Sequence, residues 1–374
     1  MPQLFSPATL RGVTLRNRTV VAPMCQYSAK DGFANDWHMV HLGRFAIGGF
    51  GLVIVEATGV VPEGRISYGD LGLWKDEHIP ALARIVQFIQ SQGAAAGIQL
   101  AHAGRKASTP VPWRNGFDET EAEKPAIGFE SWTPVAPSPV IHAENRNFTK
   151  PDELDEAGIR NIIEAFTAAA VRANQAGFDT VEIHAAHGYL LNQFLSPLAN
   201  KRTDRYGGSR ENRMRLVLEV TEAVRAVWPE DKPLLVRLSV SDQHPDGWQT
   251  EDSVVLSREL KARGVDAIDC SSGGFDGASI KTGPAYQVPL AKAVRDGADI
   301  PVMAVGLLGG DPKADDALIA NGDTDFIALA RGALDDPNWP QHAQKTLGIS
   351  DYDLWPNQTK RVKEWQRVMS AVAE

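Results

Sequence analysis

The chain predicts an α/β fold closed as a single (β/α)8 barrel of the TIM type, with a capping segment inserted after the third strand. Three observations carry this expectation. Short Val- and Ile-rich runs recur along the sequence, and segments with helical apolar spacing lie between them. Polar, titratable and glycine residues collect where the runs end, which is where such a barrel holds its ligand. An open doubly wound sheet is the competing arrangement, because the same alternation serves it too.

The strand-like runs are 18–23, 51–58, 95–101, 179–184, 234–240, 265–271, 301–306 and 325–330. Each is short and apolar enough to be covered on both faces, as a parallel strand under helices must be. Helical spacing appears at 79–91, 152–176, 211–227, 252–263, 285–295 and 312–320. Four of these segments end near a glycine suited to a left-handed C-cap: Gly93, Gly177, Gly264 and Gly322. The rhythm fails from about 105 to 150, a stretch rich in Pro, Trp and charge. A non-periodic insertion of that length is either a lid or binding loop, or a surface excursion. The tail at about 349–374 is irregular as well, and its Trp355 and Trp365 would suit contact between subunits. The whole of 1–374 reads as one domain.

With 38 basic against 47 acidic side chains the formal charge is −9, which argues against a nucleic-acid or anionic-membrane partner. No run approaches the roughly 20 apolar residues of a membrane span. The start, Met-Pro-Gln-Leu-Phe-Ser-Pro, lacks the pattern of a signal peptide. Cys25 and Cys270 form no disulfide framework, so a cytoplasmic location is expected.

The strand ends carry the chemistry. The first ends in Ala22-Pro23-Met24-Cys25-Gln26-Tyr27, the second in Glu56-Ala57-Thr58, and the third offers Gln99, His102, Arg105 and Lys106. The fourth ends in His184-Ala185-Ala186-His187-Gly188-Tyr189, where two imidazoles can polarise one oxygen while a phenol waits to give a proton. Ser271-Ser272-Gly273-Gly274, Gly306 and Arg331-Gly332 at the last three ends suggest a phosphate site; tight turns alone are the plainer reading of those glycines. Gln99 and Arg237 would then face the middle of the ligand, and an amide with a guanidinium suits a planar heterocycle. A structural ion pair of Arg237 is the alternative. His184 and His187 could also bind zinc, but the other strand ends lack ligands to complete a site, and no metal is expected.

In combination these residues resemble the old yellow enzyme family of FMN-dependent ene-reductases, and within it the thermophilic-like branch. The motifs are Ala22-Pro23-Met24-Cys25-Gln26-Tyr27, Asp36-Trp37-His38, Glu56-Ala57-Thr58, Gln99 to Lys106, His184 to Leu190, Asn200 to Ser209, and Asn212-Arg213. The resemblance implies noncovalent FMN surrounded by Ala22, Pro23, Met24, Cys25, Ala57, Gln99, Arg237, Gly306, Ala330 and Arg331, with NADPH or NADH as hydride donor. It implies that His184 and His187 hold the activating oxygen of an alkene, that Tyr189 donates the proton, and that Tyr27 lines the substrate pocket. Cys25 would tune the flavin. The family segment that reaches a neighbouring subunit's site corresponds to Gln358-Thr359-Lys360-Arg361, with Arg361 kept and Thr359 in place of an aromatic. A homodimer or homotetramer is the matching assembly.

Overall fold

The computed structural model describes residues 2–113, 130–142, 148–365 and 368. Eight strands close a barrel in which every neighbouring pair is parallel. They are β1 Thr19–Val21, β2 Leu52–Gly59, β3 Ala95–Ala101, β4 Thr180–Ala185, β5 Leu234–Ser239, β6 Ala267–Ser271, β7 Val302–Ala304 and β8 Phe326–Leu329. The open-sheet alternative is thereby set aside, since β8 pairs with β1.

Helices follow the strands in turn: α1 Asp36–Ile47, α2 Ile79–Ser91, α3 Glu156–Gln175, α4 Arg210–Val227, α5 Thr250–Ala262, α6 Val288–Ala298, α7 Pro312–Ala320 and α8 Trp339–Thr346. None of the described helices is long and apolar enough to cross a membrane. The expected C-cap glycines all have positive φ: Gly93 (79°), Gly177 (90°), Gly264 (84°) and Gly322 (74°). In that conformation a Cβ would be strained, which is why glycine ends these helices.

The start of α3 differs from the expectation of 152. Asp152–Glu153 pairs in parallel with Val135–Ala136, so the chain is still extended there. The helix begins only after Asp155, whose carboxylate accepts the Gly158 amide at 2.7 Å. Of the excursion at 105–150, residues 114–129 and 143–147 lie outside the described part. Its described end is pinned by Arg202, which donates to the carbonyls of Pro137 (2.9 Å) and Leu154 (2.6 Å) and pairs with Asp204. The Asn-Lys-Arg-Thr-Asp motif therefore holds the insertion to the barrel.

Inside the barrel, Val20, Leu52, Ile54, Leu235, Ala267, Met303 and Phe326 form an apolar plug. The hairpin Ala8–Leu10 with Val13–Leu15 packs Ala8, Leu10 and Val13 against it. That end of the barrel is closed by hydrophobic burial. A few residues further along the same strands the interior turns polar, and the site begins there.

Candidate active site

The register sets the polar layer. Gln99 on β3 lies beside Glu182 on β4, and Arg237 on β5 lies beside Asp269 on β6. Gln99 Nε2 donates to Glu182 Oε1 at 2.7 Å, and Arg237 Nε stands 3.0 Å from Asp269 Oδ2. All four side chains are buried. Burial pushes the carboxyls of Glu182 and Asp269 up, and the Arg237 charge opposes that shift. The alternative raised for Arg237, a buried ion pair, is thus present, yet the same guanidinium also reaches the wall of the main cavity. Gln99 Oε1 makes no hydrogen bond among the described residues.

Two residues beyond Glu182 on the same inward face is His184. Its ring centroid lies 5.3 Å from that of His187 and 5.0 Å from that of Tyr189, both contacts edge-on. The three residues that the sequence grouped at the fourth strand end are therefore one cluster. His184 Nδ1 accepts the Ala186 amide at 3.3 Å. His187 sits at φ +60°, with its amide donating to Ser239 Oγ at 2.9 Å and its carbonyl accepting from Lys106 Nζ at 2.7 Å. Burial, then the Arg237 charge, holds both imidazoles well below the ordinary histidine value, so both are neutral. Burial raises the Tyr189 phenol above its ordinary value, with Arg237 opposing.

Lys106 links the third, fourth and sixth strand ends. Besides His187 it donates to the Gly274 carbonyl at 2.8 Å, and its ammonium stands 5.4 Å from the Tyr189 ring centre. Burial lowers its value to about 8. Arg105 instead donates to the carbonyls of Val140 and Ile141. His102 is buried with Nδ1 accepting the Gly104 amide at 3.0 Å, and burial holds it down to about 3. Neither belongs to the cluster in a chemical role; both fasten loops.

Opposite the cluster, the first strand end is shaped from behind. Glu56 Oε2 accepts the Gln26 amide at 2.6 Å, and Glu56 Oε1 lies 3.3 Å from His38 Nε2. Tyr27 takes φ +48°. Burial and the carboxyls of Asp70 and Glu56 push the Cys25 thiol well up, which keeps it protonated and poorly nucleophilic. Cys270 is a buried core residue.

A cavity of about 500 Å³ opens at the last three strand ends. Its wall includes Arg237, Ser271, Gly306, Gly309, Ala330 and Arg331. Gly306 has φ +124°, and a Cβ there would stand 3.0 Å from both Gln287 and Tyr286, so glycine is what keeps this wall open. Arg331 is exposed and has no ion-pair partner among the described residues, which leaves its guanidinium for an anion. The Ser271-Ser272-Gly273-Gly274 stretch borders the cavity only in part. Ser239 Oγ donates to the Gly273 carbonyl, Lys106 takes that of Gly274, and a Cβ on Gly274 would lie 2.2 Å from the His187 carbonyl carbon. This loop packs against His187 and Gly188, and of its four residues Ser271 alone lines the cavity.

Sequence reasoning also passed over Glu182, Asp269 and Ser271 as partners of site residues. The available signal was a charged residue inside an otherwise apolar buried run: Glu182 in Thr-Val-Glu-Ile-His and Asp269 in Ala-Ile-Asp-Cys-Ser. Arg361 lies on an exposed turn and is not part of the cavity wall.

A barrel with a neutral histidine pair and a phenol at one rim, and a cavity beside an amide and a guanidinium at the other, is an arrangement suited to a nucleotide-cofactor oxidoreductase. Residues 3–349 match the model of the NADH:flavin oxidoreductase / NADH oxidase family, and the chain belongs to that family. It is 47% identical over 348 residues to an NADPH dehydrogenase of Geobacillus thermodenitrificans, covering 92% of this chain and 95% of the relative. Among solved structures it is similar to an old yellow enzyme homologue of Zymomonas mobilis, with 26% identity, a TM-score of 0.74, and coverage of 92% of this chain and 93% of the other. A 2-naphthoyl-CoA reductase complex shows 26% identity and a TM-score of 0.81 over 93% of this chain, which spans only 53% of that longer protein. The protein is an FMN-dependent nicotinamide oxidoreductase of the old yellow enzyme type.

The residues present fit FMN. The cavity volume falls in the range of small-molecule sites, its glycine wall admits close backbone approach, and Arg331 is free for a phosphate. The Gln99 amide oxygen and the Arg237 guanidinium are an acceptor and a cation of the kind a flavin ring would need.

Proposed function

We propose that the protein is an ene-reductase that reduces the C=C bond of activated alkenes, such as α,β-unsaturated carbonyl or nitro compounds. NADPH, the nucleotide named in the relative's activity, is the preferred reductant, with NADH as an alternative, and nicotinamide leaves before the alkene enters. The observation that carries this reading is the β4 rim. His184 Nε2 and His187 Nδ1 make no hydrogen bond within the described protein, and the His184 ring packs edge-on against both His187 and Tyr189.

FMN, when bound, would supply the hydride chemistry that links nicotinamide oxidation to reduction of the alkene C=C bond. His184 and His187 bind the carbonyl or nitro oxygen and stabilise the negative charge that builds on it. Their neutrality suits that task, because a fixed neutral donor polarises oxygen without transferring its own proton. Tyr189, fully protonated at neutral pH, gives its proton to the α-carbon, and the Arg237 charge lowers the cost of the phenolate left behind. Gln99 and Arg237 would hold the flavin ring together with Ala22, Pro23, Met24, Cys25 and Ala57, and Gly306, Ala330 and Arg331 would hold its phosphate. Tyr27 closes the substrate side, Cys25 as a neutral thiol tunes the flavin, and Arg361 completes the site of a neighbouring copy in a homodimer or homotetramer.

The direct test is anaerobic NADPH consumption by the FMN-loaded enzyme with and without cyclohexenone. Acceleration together with formation of cyclohexanone is expected. NADPH oxidation indifferent to the alkene, with no saturated product, would sink the proposal.

A further inference from the structure

The two rim imidazoles are held in opposite ways. His184 accepts a backbone amide at Nδ1, so its proton is on Nε2. His187 has its partner at the other nitrogen: Nε2 lies 2.7 Å from Ser271 Oγ. A hydroxyl can give or take that proton, and its surroundings decide which. Ser271 is 5% exposed, and its Oγ has no other hydrogen-bond partner among the described residues. If the ring donated, the hydroxyl hydrogen would have no acceptor among the described residues, which is disfavoured. If the hydroxyl donates, every group is satisfied and the ring proton lies on Nδ1, the nitrogen left free toward the site.

We infer that Ser271 is a positioning residue that sets His187 in its Nδ1–H tautomer, so that both rim histidines offer an N–H to one substrate oxygen. Ser239 and Ser271 are register partners on β5 and β6, and they divide the work. Ser239 accepts a hydrogen bond from the His187 amide and donates one to the Gly273 carbonyl at 2.6 Å, fixing the backbone. Lys106 holds the His187 carbonyl and thus its φ of +60°. With backbone and ring plane held, the one remaining freedom of a neutral imidazole is which nitrogen bears hydrogen. The wrong choice would turn a lone pair toward an oxygen that is gaining negative charge.

The inference rests on the reading that His187 binds the substrate oxygen, and the experiment separates the two. Long-range 1H–15N spectra of FMN-loaded enzyme labelled with 15N-histidine, assigned with H187A, distinguish the neutral tautomers. Wild type is expected to show His187 as Nδ1–H and His184 as Nε2–H. S271A should convert His187 to a mixture or to Nε2–H, and S271T, which keeps the hydroxyl, should restore Nδ1–H. In parallel, S271A should raise KM for cyclohexenone about tenfold, a typical effect of one lost hydrogen bond, with S271T recovering it. His187 found as Nε2–H in wild type, or a tautomer unmoved by S271A, overturns the inference. A tautomer that shifts while KM stays constant upholds it and removes instead the assignment of His187 to the substrate oxygen.

Discussion

The β4 rim and the β7–β8 rim solve different problems with different residues. At β4, neutral side chains are fixed by hydrogen bonds on several sides: His184 by a backbone amide, His187 by Ser239, Lys106 and Ser271. At β7–β8 the wall combines glycine backbone at Gly306, Gly309, Gly310 and Gly332 with apolar side chains and the carboxylates of Asp335 and Asp336, and Arg331 there has no ion-pair partner among the described residues. The first arrangement suits charge that appears only during reaction, which needs preorganised donors and no permanent counter-charge. The second suits a ligand that carries its charge all the time. Damage at the first should therefore be read mainly in the rate of alkene reduction, and damage at the second mainly in cofactor affinity.

H184A should break the comparison most visibly, lowering alkene turnover roughly 100–1000-fold, the cost of a lost oxyanion-type donor. Steady-state kinetics with saturating NADPH check it, and a loss below tenfold would place the oxygen elsewhere. R331A should instead weaken FMN binding by about 10–100-fold, as for a lost charge-assisted hydrogen bond to phosphate. Flavin fluorescence quenching on titration of apoprotein measures it.

The smallest expected effect concerns His102, a buried neutral histidine outside the cluster. Its folded value of about 3 lies below the ordinary histidine value of 6.5, so the unfolded chain binds the proton first as pH falls. Stability is thus full above pH ~6.5 and declines from there toward about 3. At pH 5.5 this one group should cost about 1.4 kcal/mol relative to pH 7.5. Urea unfolding of wild type and H102N at both pH values tests it: the variant, lacking the titrating group, should lose that much less.

Most of the barrel was legible because each strand is a short apolar run between helices of a different period. The runs at 95–101 and 179–184 match β3 and β4 to within two residues at either end. Boundaries failed where pairing outside the barrel intervened, as at Asp152–Glu153, since helical spacing cannot reveal a two-residue ladder. The His184, His187 and Tyr189 cluster was visible because all three follow one strand end. Ser271 was read for the cavity, whose wall it joins, but its bond to His187 was not legible, because the two lie 84 positions apart and meet only across the folded barrel. Glu182 and Asp269 went unremarked as partners because a charge inside an apolar run shows its meaning only once the interior face is known.

The central claim is a division of labour in which histidines hold oxygen, Tyr189 gives the proton, and neither contributes to the flavin's own reduction. Anaerobic stopped flow on Y189F tests it most directly. Flavin reduction by NADPH, followed by bleaching of the flavin band, should keep nearly the wild-type rate, while reoxidation by cyclohexenone should slow by about 100–10,000-fold, the usual range for a lost general acid. Equal slowing of both half-reactions, or no slowing of reoxidation, would contradict it.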